Sequence, residues 1–450
     1  MKKSMKRLAT LCLAGATAVS TLGMTGVSVF ADEANYDVDN MEFENVEIRV
    51  AFRYNNGSET DGQSKWYYSA LEKFNEENEG KIHVTDESIS TESDYEEKLT
   101  TEFASGNVPN AFLQYGGSRT KEYVDAGYVL DLTPYFEQYP EWYEGVKEFT
   151  WETTQFEGHE GTWGIPWSCY QLCMYYNKDL LDQAGVEVPE SWDDLVDACA
   201  KLKEAGIQPF NYSDKDNYHY EHLMSAMALK AYGPEIADQL ANDEEAYNGE
   251  KMVAIYQLMK DMIDNGYWGD AILSTDYMTE RSMFEAGQAA FTVDGTWNCG
   301  NFQNDSDKTL FEAQKIGVTR IPYINEEYKT VEMGGGSDTY YVTTLNHSEE
   351  EIAATVKFIK YLTSVEQIND MCAASPTTYA EKTTIETGNY LLDEVNAIME
   401  ENTASKLELP NYDTNTAAMD TIRNSLQALA TGASAQEVGD DIVDKMSAYE

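Results

Sequence analysis

Apolar and polar positions alternate along Val46-Glu47-Ile48-Arg49-Val50-Ala51-Phe52, which predicts a half-buried strand. Asn55-Asn56-Gly57 ends it in a turn. The spacing then changes. Trp66, Tyr67, Ala70, Leu71 and Phe74 fall on one face of a helix. Lys81-Ile82-His83-Val84 predicts a second short strand, and Tyr95 to Phe103 an amphipathic helix closed by Ser105-Gly106. Ala111-Phe112-Leu113-Gln114-Tyr115 predicts a third strand, broken by Gly116-Gly117. Strand and helix alternate, so this half of the chain reads as an α/β layered lobe.

The stretch from Trp163 to Leu195 is the densest in signals. Gly164-Ile165-Pro166 is a turn-like break, and Cys169 to Tyr176 an apolar run of strand length. Asn177-Lys178-Asp179 leads into a short helix that Gly185 stops. Ser191 is placed to cap the next helix, with Asp193 and Asp194 in its positive first turn. Residues 191–206 and 249–265 read as helices. Met252, Ile255, Tyr256, Met259, Met262 and Ile263 line one face of the second, a core stripe rather than a cofactor site. Residues 283–300, MFEAGQAAFTVDGTWNCG, predict a helix end, a buried strand and a turn. Ile316-Gly317-Val318 continues as a strand that Ile321-Pro322 ends, and the glycines Gly334 to Gly336 precede a strand from Thr339 to Thr343. Ala353 to Leu362 and residues 417–430 complete the predicted helices.

The order of glycine-proline break, strand, YNKDLL, AG and P-x-SWDDL resembles the extracellular solute-binding proteins of ABC-type sugar importers, family 1, the maltose-binding-protein-like group. FASGNVPNAFLQY, DAGYVLDLTPY at residues 125–135 and the F-x-x-G-x-A-A…G-x-W stretch carry the same resemblance. Asn110 stands where the family pattern has Asp, at a position read as structural. The resemblance implies an α/β, two-lobed periplasmic-binding-protein-like fold of type II, with discontinuous lobes joined by a hinge. The expected N-terminal lobe is 46–166 with 322–373. The expected C-terminal lobe is 167–321 with 374–450. The crossings are expected near Ile165–Ser168, Ile316–Pro322 and Cys372–Pro376.

The ends and the charge narrow the class. Met1 to Arg7 is basic, Leu8 to Val29 is apolar and small, and Val29-Phe30-Ala31 fits a cleavage site, so residues 1–31 read as a secretory signal peptide. Thr, Ser and Gly interrupt the run too often for a spanning helix. Cys12, preceded by Leu11, departs from a lipid-anchor pattern, so the mode of retention stays open. Residues 32–45 read as a flexible acidic leader. Without residues 1–31 the chain has 27 Lys+Arg against 80 Asp+Glu, a formal charge of −53. Such a polyanion does not bind nucleic acid or an anionic membrane by charge, and it favours a neutral solute over a phosphorylated one. Five cysteines then remain, Cys169, Cys173, Cys199, Cys299 and Cys372. Cys169 and Cys173 lie about 13 Å apart on a strand, too far to bridge. No zinc spacing is present. Most of them read as buried thiols.

Catalytic patterns are sparse. There is no H-E-x-x-H and no G-x-S-x-G turn. His219 and His222 share a helix face but lack further ligands, so they read as a surface or cleft-lip pair rather than a metal site. The Tyr175-Tyr176 and Tyr340-Tyr341 pairs sit inside strands, where neighbours face opposite ways, and read as core rather than as an iron site. Aromatics are more telling, with 8 Trp and 31 Tyr. Aromatic planes suit the C–H faces of a pyranose, and Asp, Asn, Gln and Arg suit its hydroxyls.

The resemblance places ligand contact at Trp297, which follows its strand through Asp294-Gly295-Thr296, and at Gln114, Tyr115 and Arg119 after the third strand. Tyr54 and Asn55 end the first strand. Trp167 and Tyr170 lie at the crossing, and Gly335 and Asp338 at the glycine triplet. Trp167 can equally be hinge packing, Arg119 a salt-bridge residue and Asp338 a turn residue. The expectation is a secreted, non-enzymatic, monomeric binder of a carbohydrate, an oligosaccharide above all. It would need no cofactor and no metal, insert into no membrane once the signal is removed, and pass its ligand to a membrane permease with an attached ATPase. A secreted glycan hydrolase, or a binder of metal, polyamine or peptide in the same fold, stays open as the alternative.

Overall fold

The structure, a computed structural model, describes residues 35–58, 61–383, 385–412 and 417–448. The expected signal peptide lies outside the described residues. Among the described residues ten strands are present in chain order: β1 (Val46–Ala51), β2 (Ile82–Asp86), β3 (Ala111–Gln114), β4 (Ile165–Pro166), β5 (Cys169–Asn177), β6 (Phe291–Gly295), β7 (Ile316–Arg320), β8 (Val331–Gly336), β9 (Thr339–Val342) and β10 (Ala404–Lys406).

They form two sheets, and helices pack on both. The first has the order β2-β1-β3-β9-β4, with β1 parallel to β2 and β3, and β9 antiparallel to β3 and β4. The alternation read from residues 46–52 appears as buried Val46, Ile48 and Val50 with Glu47 exposed. The second sheet has the order β10-β8-β5-β6, and β7 also pairs with β5. β5 is central, and eight of its nine residues are buried. A strand covered on both faces reads as a continuous apolar run, which is how Cys169 to Tyr176 looks in the sequence. Each sheet anchors its own core, one around Ile48, Phe52, Phe74 and Phe358, the other around Met174, Met227, Tyr256 and Phe291. The fold is therefore the two-lobed α/β architecture.

The helix Trp192–Glu204 begins as expected: Ser191 and Asp194 form a reciprocal capping box. The helix His219–Tyr232 is different. Thirteen of its 14 residues are buried, so it shows no amphipathic stripe. Its buried charges are paired, with Lys230 Nζ 2.7 Å from Glu332 and Arg320 2.6 Å from the same carboxylate.

Four expectations change. The glycine triplet, expected only to precede a strand, is itself the end of β8 inside the second sheet. A Cβ on Gly336 would fall 2.5 Å from the Thr150 carbonyl oxygen, and one on Gly334 would fall 2.3 Å from that of Tyr170. Only a strand without side chains fits between those backbones. β7 and β8 both pair with β5, so the chain leaves the second sheet at Ser337–Asp338 and not at Ile316–Pro322. The return passage also comes later than Cys372–Pro376, because Tyr379 and Ala380 still pack in the first core. Residues 36–45 are not a loose leader: Val38 and Phe43 are buried, Tyr36 meets Tyr135 edge-on, and Asp39 bonds Lys360. Apolar positions inside an acidic stretch anchor it.

Candidate functional site

β1 and β3 are parallel neighbours, and in open α/β sheets ligands gather beyond the carboxyl ends of such strands. Arg53 and Tyr115 stand at those ends. The Arg53 guanidinium lies 4.0 Å from the Tyr115 ring centroid and that of Arg119 5.1 Å, both within cation–π range. Arg119 also meets Glu92 at 3.2 Å and Glu96 at 3.8 Å. Arg53 is ion-paired to Asp338, which exchanges hydrogen bonds with Ser168: Ser168 Oγ donates to the carboxylate at 3.2 Å and accepts from the Asp338 amide at 2.9 Å. Ser168 and Asp338 occupy two of the passages between the sheets, so this ion pair fastens a wall residue to the hinge. Burial pushes the Tyr115 phenol up to about 12, against the pull of Arg53.

The second lobe presents a different wall. Trp297 follows β6 and is half-buried, its ring lying over Gly295, where a Cβ would meet it at 2.2 Å. Its indole N–H donates to the Tyr277 hydroxyl at 3.1 Å. That hydroxyl donates to Asn298 Oδ1 at 3.1 Å and also faces N–H groups of Arg281 and Asn301, each at 3.2 Å. Asn298 in turn donates to buried Asp294 at 2.6 Å. Burial pushes Asp294 up to about 6, opposed by His219. Burial alone would lower His219; the Glu280 carboxylate 3.1 Å away overrides it and holds the imidazole at about 9. Tyr170 packs against Trp297 at 5.8 Å, and Tyr218 lies 6.3 Å from Tyr277.

The two walls meet. Asn411, of the second lobe, covers Gly117, where a Cβ would fall 3.2 Å from its amide oxygen. Arg119 Nη2 reaches Met419 Sδ at 3.7 Å, and Lys406 pairs with Glu152 at 3.0 Å.

Tyr115, Arg119 and Asp338 are thus brought together on one lobe, and Tyr170, Asp294 and Trp297 on the other. The remaining expected site residues are placed otherwise. Tyr54 is buried, stacked on Tyr67 at 4.1 Å with its hydroxyl 2.6 Å from that of Tyr340. Trp167 is buried against Tyr340 and Tyr379, the packing role at the crossing. Gln114 is buried, and both its amide ends are engaged, with Glu96 and with the Tyr115 amide. Gly335 lies inside β8 under Leu407, and Asn55 is exposed. His219 and His222 are not a surface pair: they are 4% and 7% exposed and bonded to Glu280 and Glu408. Neither Arg53 nor Tyr277 carried a signal in the sequence; Arg53 follows the end of β1 and Tyr277 opens the helix Tyr277–Glu285, where patterning is silent. Among the described residues there is no cluster of three or more metal-ligating side chains, and no helix is long and apolar enough to cross a membrane. The five cysteines are buried free thiols, and Tyr175, Tyr340 and Tyr341 are core residues.

A family model described as bacterial extracellular solute-binding protein matches residues 56–368. A binding protein of Brucella abortus is 26% identical over 234 residues, 50% of this chain and 52% of that one. The chain therefore spans about half the length of the curated relatives it matches first. The multiple sugar-binding protein of Streptococcus mutans is 24% identical over 331 residues, 71% of this chain and 72% of that protein. Among solved structures, one from work on xylan utilization by Caldanaerobius polysaccharolyticus superposes with a TM-score of 0.76 at 21% identity, covering 89% of this chain and 100% of the other.

Proposed function

The chain belongs to the bacterial extracellular solute-binding protein family, and on that premise we propose that it is an exported, non-enzymatic binder of a neutral carbohydrate, an oligosaccharide, captured between two lobes and handed to an ABC-type permease. The observation that carries this reading is the pair of half-buried aromatic walls, Tyr115 on one lobe and Trp297 on the other, each ringed by fixed polar groups. Ring faces stack on such walls and hydroxyls pair with such groups. A ligand touching both lobes favours the closed arrangement by its differential contacts. We take the lobes as residues 36–166 with 338–380, and 168–336 with 390–448, acting as a monomer outside the cell. Relatives whose names refer to sugar binding and to xylan utilization lend support.

The test is a thermal-shift screen of neutral mono- and oligosaccharides, followed by calorimetry on the hits. A ligand specific for the folded state raises its melting temperature. Trp297→Ala should weaken binding by about a hundredfold, the scale of a central aromatic anchor, and leave the fold intact. A panel without any shift ends the carbohydrate reading. Release of reducing sugar by the purified protein would replace it with a hydrolase.

A further inference from the structure

The second-lobe wall continues past Tyr170 into a group with no role so far. Tyr170 lies beside Glu408, a carboxylate whose side chain is 15% exposed. Glu408 is gripped at both ends. His222 Nε2 lies 3.3 Å from Oε1, and Asn411 Nδ2 donates to Oε2 at 2.8 Å. These two contacts orient both partners. They turn His222 so that Nδ1 is the ring nitrogen left over, and the Asn411 amide so that Oδ1 is its remaining polar atom. His222 Nδ1 and Asn411 Oδ1 are both buried, and neither has a hydrogen-bond partner. A buried polar atom left unpaired is costly, so two beside one carboxylate call for an occupant. The position lies where the two lobes meet. Asn411 closes on Gly117 of the first lobe, and the Tyr218 ring lies 5.1 Å from His222 and 6.3 Å from Tyr277, behind Trp297.

We propose that His222 and Asn411, set by Glu408, form a subsite for adjacent hydroxyl groups of the bound solute. This rests on the carbohydrate reading and narrows it. Asn411 Oδ1 accepts only, so the occupant must donate. His222 Nδ1 accepts when the ring is neutral and donates when it is charged, so the occupant must be able to do either. A hydroxyl does both. A carboxylate or phosphate oxygen cannot serve Asn411, and an ammonium cannot serve a charged ring. Glu408 and the buried Glu221, 3.9 Å from His222 Nε2, further repel an anion, although Arg423 at 3.2 Å offsets Glu221. The subsite therefore selects a neutral polyhydroxyl ligand over one bearing a uronate or phosphate at this place.

The experiment is calorimetry at pH 7 with raffinose, xylotriose and triacetylchitotriose, against trigalacturonate as the acidic trisaccharide. The full chain is compared with His222→Phe, His222→Asn and Asn411→Ala, each checked by thermal melting. His222→Phe and Asn411→Ala should each weaken the neutral trisaccharide that binds by about tenfold or more, the scale of a lost buried hydrogen bond. His222→Asn keeps a polar atom near the Nδ1 position and should lose less than His222→Phe. Trigalacturonate should not bind. If His222→Phe melts early, Asn411→Ala decides. Affinity within twofold of the unaltered protein in the deciding variant overturns the subsite and leaves the carbohydrate reading standing. Trigalacturonate binding as tightly as the neutral sugars overturns the hydroxyl assignment. Failure of every trisaccharide here, and of every sugar in the thermal-shift panel, to bind the unaltered protein fells the carbohydrate reading itself and the subsite with it.

Discussion

Tyr115 and Trp297 stand on different lobes and are held by opposite means. Tyr115 is held by charge: two guanidiniums approach its ring, and each is balanced by carboxylates, Asp338 for Arg53, Glu92 and Glu96 for Arg119. Trp297 is held by mainly neutral hydrogen bonds running inward through Tyr277 and Asn298 to buried Asp294. Charge acts at longer range but is weakened by water and salt wherever it is exposed. Neutral bonds act only at contact but are shielded when buried. The first wall is thus tied to the hinge, through Asp338, while the second is tied to its own lobe.

The largest expected effect breaks the first wall at its buried end. Asp338→Ala leaves the Arg53 side chain, 11% exposed, without its carboxylate. Stripping one partner from a buried pair costs about 3 kcal/mol, which urea denaturation would register. A loss under about 1 kcal/mol would mean that Tyr115 and Glu92 alone satisfy Arg53. The next effect belongs to the second wall. Asp294 sits at about 6, above its ordinary 3.8, because burial disfavours its charge. The native state therefore holds this proton more tightly than the unfolded chain. Its stabilising share is complete below about pH 4 and is lost as the pH rises through 6, amounting to about 3 kcal/mol. Asp294→Asn should remove that slope from melting curves taken between pH 4 and 7. An unchanged slope would place the titration elsewhere.

The same contrast explains what could be read in advance. Strands β1, β3, β5, β6 and β9 announced themselves because burial leaves a period of two or an unbroken apolar run. β8 did not, because Gly334 to Gly336 carry no side chains to show a period, and only the nearness of Tyr170 and Thr150 accounts for them as a strand. Placing β8 in the second sheet moves the second crossing by some fifteen residues or more. The helix His219–Tyr232 was silent for the reverse reason, being covered all round. Around the candidate site, Trp297 and Tyr115 stood out through ordered motifs. Arg53, Tyr277, Glu408 and Asn411 did not, since a polar residue at an element end signals nothing until its partner, often more than a hundred positions away, is known. Tyr54 looked like a lip residue because strand ends attract that reading, and the core closed over it instead, while Trp167 took the packing role at the crossing.

A smaller effect tests the neutral network. Tyr277→Phe keeps the ring and removes one oxygen, leaving the Trp297 indole N–H and an Arg281 N–H without that partner. The expected cost is about 1 kcal/mol in stability, with the Trp297 indole resonance moving in a ¹⁵N spectrum. Identity of the two spectra would show that Trp297 is held by packing on Gly295 and Tyr170 alone.

The smallest effect probes the exposed end of the charged wall. Glu92 has a side chain 53% exposed, and its partner Arg119 is also close to Glu96. Water screens such a pair, and the second carboxylate remains when the first is neutralised. Glu92→Gln should therefore change stability by less than about 0.5 kcal/mol, with the melting temperature equally insensitive to added salt in both proteins. A loss comparable to that of Asp338→Ala would overturn the division drawn between the two ends of this wall. It would mean that Arg119, and not Arg53, carries the charge that fixes Tyr115.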